Sequence, residues 1–524
     1  MKRLIVLGLL IMAFAATSYA QDAKLEFRAS GFIDEISEFW KNDFGTSGPG
    51  SVNNGNSIYN VVPLPYQPFG PRGTSTQGYV FNHKESFMES RLRLKFDAVY
   101  GKELTGTIFF EADSATWGDI GVASNNRLSD RNGFGYWSAD RAALEIKNIY
   151  IDAALPYMGV PIPMNLRIGL QSLAIRPNLL IYTDGMGAIG SFKIDPVNLQ
   201  FIWFKALEGR TWVADDVDVW GFHGNAKINT FTVGGYAMYY NMDTYPLNKF
   251  TSVSNKAFTD TSFKSSMWWL GVYADGKAGP VDVNFDLIMD TGKVKINGAD
   301  SAPSLQDDPN VKYRGWATYA KVDYPYDMFN FGAVLWYASG SDTEKTGPTG
   351  LPGSHGSTGQ DSYKVGSFVN PPGSESGAVF GESLVFYSNW IDRGSGGIAN
   401  NLNYNQNARG PIGGTWAAKV YGMYKVTPWY KITTNLLYIG DTTKNGDTFG
   451  TAMKADGETL QDNKKIGWEV DLYNEFQIYK QLKFWATGGY MWAGPAFKFW
   501  DPVFERNRKP QNPWVIMTNL TYTF

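Results

Sequence analysis

Glu89, Arg91, Arg93, Lys95 and Asp97 place five charged side chains at alternate positions, with Leu92, Leu94, Phe96 and Ala98 between them. A spacing of two puts all five charges on one face of an extended strand, whereas a helix would bring charges round at three and four. Arg91, Arg93 and Lys95 are like charges on successive rungs of that face. They repel one another, so water or facing carboxylates must compensate them. The chemistry open to such a row is electrostatic: it can attract, repel or hydrate ions.

Bond-making chemistry finds no comparable support. The chain has no cysteine, which excludes thiolate metal sites, cysteine nucleophiles and disulfides. Its three histidines, His83, His223 and His355, are far apart in sequence. No HExxH, nucleophile elbow or phosphate-binding loop is present, and no pair of carboxylates stands out as an acid and base. An enzyme is not expected, and no cofactor is implied. The run from Asp441 to Asp447 and the pair Asp307-Asp308 offer clustered oxygen ligands for calcium, although solvated loop polarity is the better account of them. A formal charge of −3, with no basic stripe, argues against a nucleic-acid partner.

The elements that position the charged row follow from the rest of the chain. Lys2 and Arg3, the apolar run Leu4 to Ala15, and Ser18-Tyr19-Ala20 read as a cleavable export signal over 1–20. Residues 21–524 then form one domain. Glycine (57), tyrosine (30), phenylalanine (33) and tryptophan (18) are abundant, yet mean hydropathy is only −0.27 and no later segment is apolar enough for a spanning helix. A membrane protein built this way must span as a closed barrel, which offers lipid only every second side chain.

Alternating segments recur as that architecture requires. Met164, Leu166, Ile168 and Leu170 oppose Asn165, Arg167, Gly169 and Gln171; Ile466, Trp468, Val470 and Leu472 oppose Gly467, Glu469, Asp471 and Tyr473. Trp514, Ile516, Leu520, Tyr522 and Phe524 share a face opposite Asn519, Thr521 and Thr523. Strands are expected at 24–39, 84–98, 102–114, 141–154, 163–171, 186–195, 198–206, 214–228, 231–242, 266–275, 280–290, 311–322, 328–338, 414–425, 429–439, 465–478, 482–494 and 513–524. The fold is therefore expected to be all-β, a transmembrane antiparallel β-barrel of about 18 strands, or about 16 if the sixth is discounted. An even count leaves both termini periplasmic. Short links such as Tyr100-Gly101, Asp195-Pro196-Val197 and Thr427-Pro428 fall at the periplasmic end, and the long Gly/Ser/Asn-rich stretches fall at the extracellular end.

The longest link, from Gly340 to Gly413, holds an apolar stretch, Ala378 to Trp390, that reads either as an extra hairpin or as a loop segment folded into the pore. Trp268, Trp336, Trp492, Trp514 and Tyr522 lie near strand ends and suit interfacial aromatic girdles. Alternation places Arg28, Glu89, Arg91, Arg93, Lys95, Glu111, Glu145, Lys147, Arg167, Lys312, Arg314, Glu469 and Asp471 on the lumen face. A barrel of this width leaves an aqueous channel, and charged rows on its wall set selectivity.

Ser90 to Ala98, Leu104 to Glu111 with Trp117-Gly118, Ala143 to Asp152, and Asn165 to Gln171 together resemble the outer-membrane homotrimeric porins of sulfate-reducing bacteria and their relatives. The likeness is concentrated in residues 85–175 and the C-terminal strand. It implies an outer-membrane location, lipid contact, a homotrimer, and passive diffusion of small hydrophilic solutes or ions. The terminal Phe524 resembles the signal by which such barrels reach their assembly machinery. The alternative is a non-conducting barrel whose long loops serve as receptor, adhesin or scaffold.

Overall fold

The computed structural model describes residues 24–41, 84–117, 144–155, 162–208, 216–243, 263–296, 310–345, 364–374, 381–387, 412–450, 452–457, 459–501 and 505–524. The export signal, His83, His355 and Asp307-Asp308 lie outside them. The strands are β1 (Leu25–Lys41), β2 (Lys84–Tyr100), β3 (Leu104–Thr116), β4 (Glu145–Leu155), β5 (Met164–Ile175), β6 (Ile181–Ile194), β7 (Val197–Leu207) and β8 (Val217–Ile228). They continue as β9 (Phe231–Met242), β10 (Phe263–Ala278), β11 (Val281–Ile296), β12 (Asn310–Tyr313), β13 (Trp316–Tyr326), β14 (Phe329–Ala338), β15 (Lys364–Val365) and β16 (Thr415–Thr427). The last are β17 (Tyr430–Asp441), β18 (Lys465–Tyr479), β19 (Leu482–Ala493), β20 (Phe499–Asp501), β21 (Arg506–Arg508) and β22 (Trp514–Thr523).

Twenty of these strands share one sheet. Because β12 and β13 both pair with β11, they are a single wall strand interrupted at Arg314-Gly315. The two-residue β15 lies against β12 from within a connection. The wall therefore has eighteen antiparallel strands, as the alternation predicts. It closes where β1 pairs with β22 as well as with β2. At that seam Gly31 and the terminal Phe524 exchange backbone hydrogen bonds of 3.0 and 3.1 Å. Closure removes the sheet edge and satisfies strand backbone groups without water, which is what lipid demands.

Turns alternate with longer connections as expected, except at β4–β6, where the link 156–163 is longer than the turn 176–180. At the short-turn end Gly101, Asn229, Gly279 and Asp327 hold left-handed backbone, which these residue types tolerate best. Outside, Phe96, Ile149, Phe201, Val272, Leu335, Val420 and Leu472 are exposed, forming the apolar band of a transmembrane barrel. Trp268, Trp492 and Tyr522 are exposed around it.

Three sequence expectations fail on facing. Trp336 is fully buried rather than in a girdle: its neighbours Leu335 and Tyr337 take the outward positions, and its ring meets Tyr387 inside at 5.0 Å. Ile466 is also buried instead of sharing the outward face of Trp468, because the pairing of β17 with β18 shifts register beside it. The twelfth expected strand, 311–322, is broken at Arg314-Gly315, with consequences for two charged residues below.

Candidate functional site: a charged lumen narrowed by inward segments

The charged row of β2 faces inward and meets carboxylates on both flanking strands. Glu111 of β3 lies opposite Arg93 in register and takes Arg91, Arg93 and Lys147, with Arg91 Nη2 at 2.7 Å and Lys147 Nζ at 3.0 Å. Lys147 also reaches Asp184 at 2.9 Å. On the other side Asp34 of β1 stands opposite Arg91. The repulsion inherent in the row is thus relieved by facing acids. Further toward the short turns, Lys95 pairs with Asp97 at 2.9 Å and Arg167 with Asp152 at 2.6 Å. Arg28 faces Asp97 in register and pairs with Glu26 at the exposed end of β1. Glu145 stands opposite Glu111, half-buried, while Glu89 is buried.

Against the inner face of β13 to β19, a piece of the long connection between β14 and β16 folds inside. Ser383, Leu384, Val385, Phe386 and Tyr387 are all buried. The carboxylate of Glu469 accepts backbone N–H groups from Leu384, Val385 and Phe386 at 3.0, 2.9 and 3.0 Å, and Asp471 accepts from Leu384 at 3.3 Å. Just before this stretch Glu382 receives Lys419 Nζ at 2.9 Å and the Tyr319 hydroxyl at 2.5 Å, with Lys321 at 4.0 Å. Burial raises the Glu382 carboxyl, but the charges of Lys419 and Lys321 outweigh it and hold the group below its ordinary value. The seat for the segment is Gly489 of β19. A Cβ there would stand 2.8 Å from Val385 Cγ2 and 2.7 Å from Asp471 Oδ1.

A second stretch of the same connection, 366–374, lines β10 to β13. Val369 N–H donates to Asp290 at 3.1 Å, and Trp269 Nε1 donates to the Val369 carbonyl at 2.8 Å. Gly315 admits it, since a Cβ there would lie 2.5 Å from Phe368 Cα. Asn370 then donates to the carbonyls of Leu179 and Leu180, in the turn between β5 and β6, at 3.0 and 2.9 Å. That turn sends Arg176 to Asp275 and Asp286 on β10 and β11, at 2.6 and 2.5 Å, with its guanidinium 4.5 Å from the Tyr273 ring centroid. Burial opposes its charge, but the hydrogen bonds and charges of Asp286 and Asp275 keep the guanidinium above its ordinary value. His223 joins the network through the Tyr273 hydroxyl at 2.8 Å and Gln200 at 3.0 Å.

Of the apolar stretch Ala378 to Trp390, the described residues 381–387 are a loop segment folded into the pore, and no strand forms among them. Glu469 and Asp471 face inward but do not line water: they lie beneath that segment as its anchors. Lys312 and Arg314 face away from the lumen, contrary to expectation. Their buried neighbours Val311 and Tyr313 take the inward positions, since β12 pairs Val311 with the buried Val294 and Lys312 with Lys293. Alternation alone missed Arg176, Lys321, Glu382 and Lys419. Two of these sit in connections, where period two carries no information, while the Gly488-Gly489 pair inside a strand was a legible sign of close approach.

In the extracellular connection between β17 and β18, Asp441 accepts the backbone N–H groups of Thr443 and Thr448, and Asp447 accepts both the backbone and side-chain N–H of Asn463. Burial pushes Asp447 up to about 8. These carboxylates organise the loop backbone. Among the described residues no cluster of three or more acidic or histidine side chains suits a metal ion.

No protein-family profile matches the chain, and no curated protein matches it in sequence. Solved structures do. OccK11 (OpdR) of Pseudomonas aeruginosa aligns over 95% of this chain and 96% of its own at 10% identity, TM-score 0.47. OccK8 (OprE) of the same organism aligns over 95% and 98% at 11% identity, TM-score 0.47, and OpdQ over 95% and 98% at 10% identity, TM-score 0.46. No residue role passes from them to this chain.

Proposed function

We propose that the chain is an outer-membrane porin, conducting small hydrophilic solutes and ions passively through its lumen. The observation that carries this reading is solvent contact inside a closed wall. Lys95, Arg167 and Lys321 point inward yet are 34%, 43% and 30% exposed. A packed core does not hold partly hydrated charges of this kind, whereas a wide barrel with an aqueous channel does. The inward segments narrow that channel, and the charged walls around them supply selectivity. Two described segments of the longest connection, 366–374 and 381–387, fold into the barrel, which favours a channel over a surface receptor built from that loop.

The reading includes a homotrimer, an export signal cleaved before Gln21 and recognition of Phe524 during assembly. Planar-bilayer recordings of the purified protein are the decisive experiment, with salt-dependent conductance expected in steps of three. A folded, inserted protein that passes no current overturns the proposal. Single-step conductance, with a monomeric mass in mild detergent, overturns only the trimer.

A further inference from the structure

The residues that turn away from the lumen on β10 to β12 form a surface of their own. Lys264 pairs with Lys295, and Lys293 with Lys312, directly across neighbouring strands, and Arg314 follows on the same face. Lys364 of β15 lies beside Lys312. All six are exposed. Like charges directly opposite one another in a sheet are destabilising. Lys264 has Asp243 at 3.3 Å, but among the described residues no carboxylate lies within ion-pair distance of Lys293, Lys295, Lys312 or Arg314. The same level of the wall on β7 and β8 shows the contrast. There the outward Lys205 meets Asp216 at 2.6 Å, Asp218 at 3.5 Å and Glu208 at 3.4 Å.

The height of the patch identifies what would neutralise it. The exposed Trp268 pairs with Thr291 and stacks near Tyr239, and the exposed Trp316 pairs with Met289, so both rings mark the outer rim of the apolar band. Lys293 and Lys295 lie two and four residues beyond Thr291, or about 7 and 13 Å along the strand. Head-group layers begin at such a rim and extend roughly 5–8 Å further along the membrane normal. The strands tilt and lysine stems reach back along apolar surface, so the ammonium groups fall within that layer.

We infer that the outward basic patch of Lys264, Lys293, Lys295, Lys312 and Arg314 binds the phosphorylated head group of an anionic lipid in the leaflet at the long-loop end. Phosphate accepts from ammonium groups as a point charge and from Arg314 in bidentate fashion. The inference rests on the barrel's place in the membrane and not on conduction.

The test uses the intact protein in phosphatidylcholine nanodiscs with added lipid A, either phosphorylated or enzymatically dephosphorylated, and reads retained lipid by native mass spectrometry. The wild type should retain phosphorylated lipid A and release the dephosphorylated form. Each charge removed near an anionic surface should weaken retention about 5-fold. Lys293→Gln with Lys312→Gln should therefore show a large loss, while Lys205→Gln, on the balanced side, should show none. Bilayer conductance of the same variants should be unchanged, which separates this inference from the porin reading. Equal retention of both lipid A forms, retention unaffected by the paired substitution, or a patch protected only by contact with a second copy of the chain would each overturn it.

Discussion

Val385 donates its backbone N–H to the carboxylate of Glu469, a wall residue 84 positions later, at 2.9 Å. The neighbouring N–H groups of Leu384 and Phe386 converge on the same carboxylate. A charged acceptor buried in the wall thus stands in for a strand partner, holding a loop segment against the inside of the barrel. Hydrogen bonds to charged groups contribute about 1.5–3 kcal/mol each.

Glu469→Gln keeps the shape of the anchor but replaces one acceptor oxygen with a donor that faces N–H groups. The segment 384–386 should loosen, raising single-channel conductance and open-channel noise while the barrel stays folded. Conductance traces indistinguishable from wild type would show that the segment does not narrow the channel.

Gly489→Leu tests the same contact from the opposite side. Its side chain would occupy the space of Val385 and Leu384. Overpacking of this kind costs about 1–3 kcal/mol, which the segment, being the softer partner, should absorb by moving. Protease cleavage between 381 and 387 should become faster, with the heat-resistant electrophoretic mobility of the barrel retained. An intact segment beside a destabilised wall would contradict this.

Facing can be checked with one adjacent pair. Leu92→Arg on the lipid side should destabilise urea unfolding by about 2–4 kcal/mol if it meets mid-bilayer. Arg91→Leu should leave folding intact and shift ion selectivity, since Glu111 keeps Arg93 and Lys147. Reversal of the two phenotypes would place the row on the wrong face.

Two carboxylates outside the strands predict opposite responses to pH. Glu382 is held below its ordinary value of 4.5, so the folded state favours its charged form. The stabilisation is complete above about 4.5 and disappears as pH falls through the folded value. Asp447 is raised from 3.8 to about 8, so its folded state holds the proton more tightly than the unfolded chain does. Its loop is firmest below 3.8 and weakens as pH rises through about 8. Amide exchange, normalised for intrinsic rate, should show 384–387 losing protection in acid and 443–448 gaining it. Parallel changes in both segments would refute the assignments.

Much of this protein is legible in its sequence. The eighteen wall strands, the inward row of Arg91, Arg93 and Lys95, and the outward face of β22 follow from period two, because a strand bounded by water on one side and lipid on the other records its surroundings at every residue. That record fails wherever the inside is not water. Trp336, Glu469 and Asp471 face a folded-in loop, so apolar and charged residues mix on the inward side and alternation no longer separates the faces, while a register shift turns Ile466 inward. Alternation also fails to separate the faces at Lys312 and Arg314, because beyond the apolar band the outer face, like the inner one, accommodates charge.

The row of charges with which the sequence began was thus settled locally, by spacing alone. What the row faces, and how narrow the passage beside it is, was decided by contacts between residues far apart in the chain: Arg176 with Asp275 and Asp286, Glu382 with Lys419, and Glu469 with Val385. Such pairings depend on barrel closure and loop insertion, which bring together segments that no short-range periodicity connects.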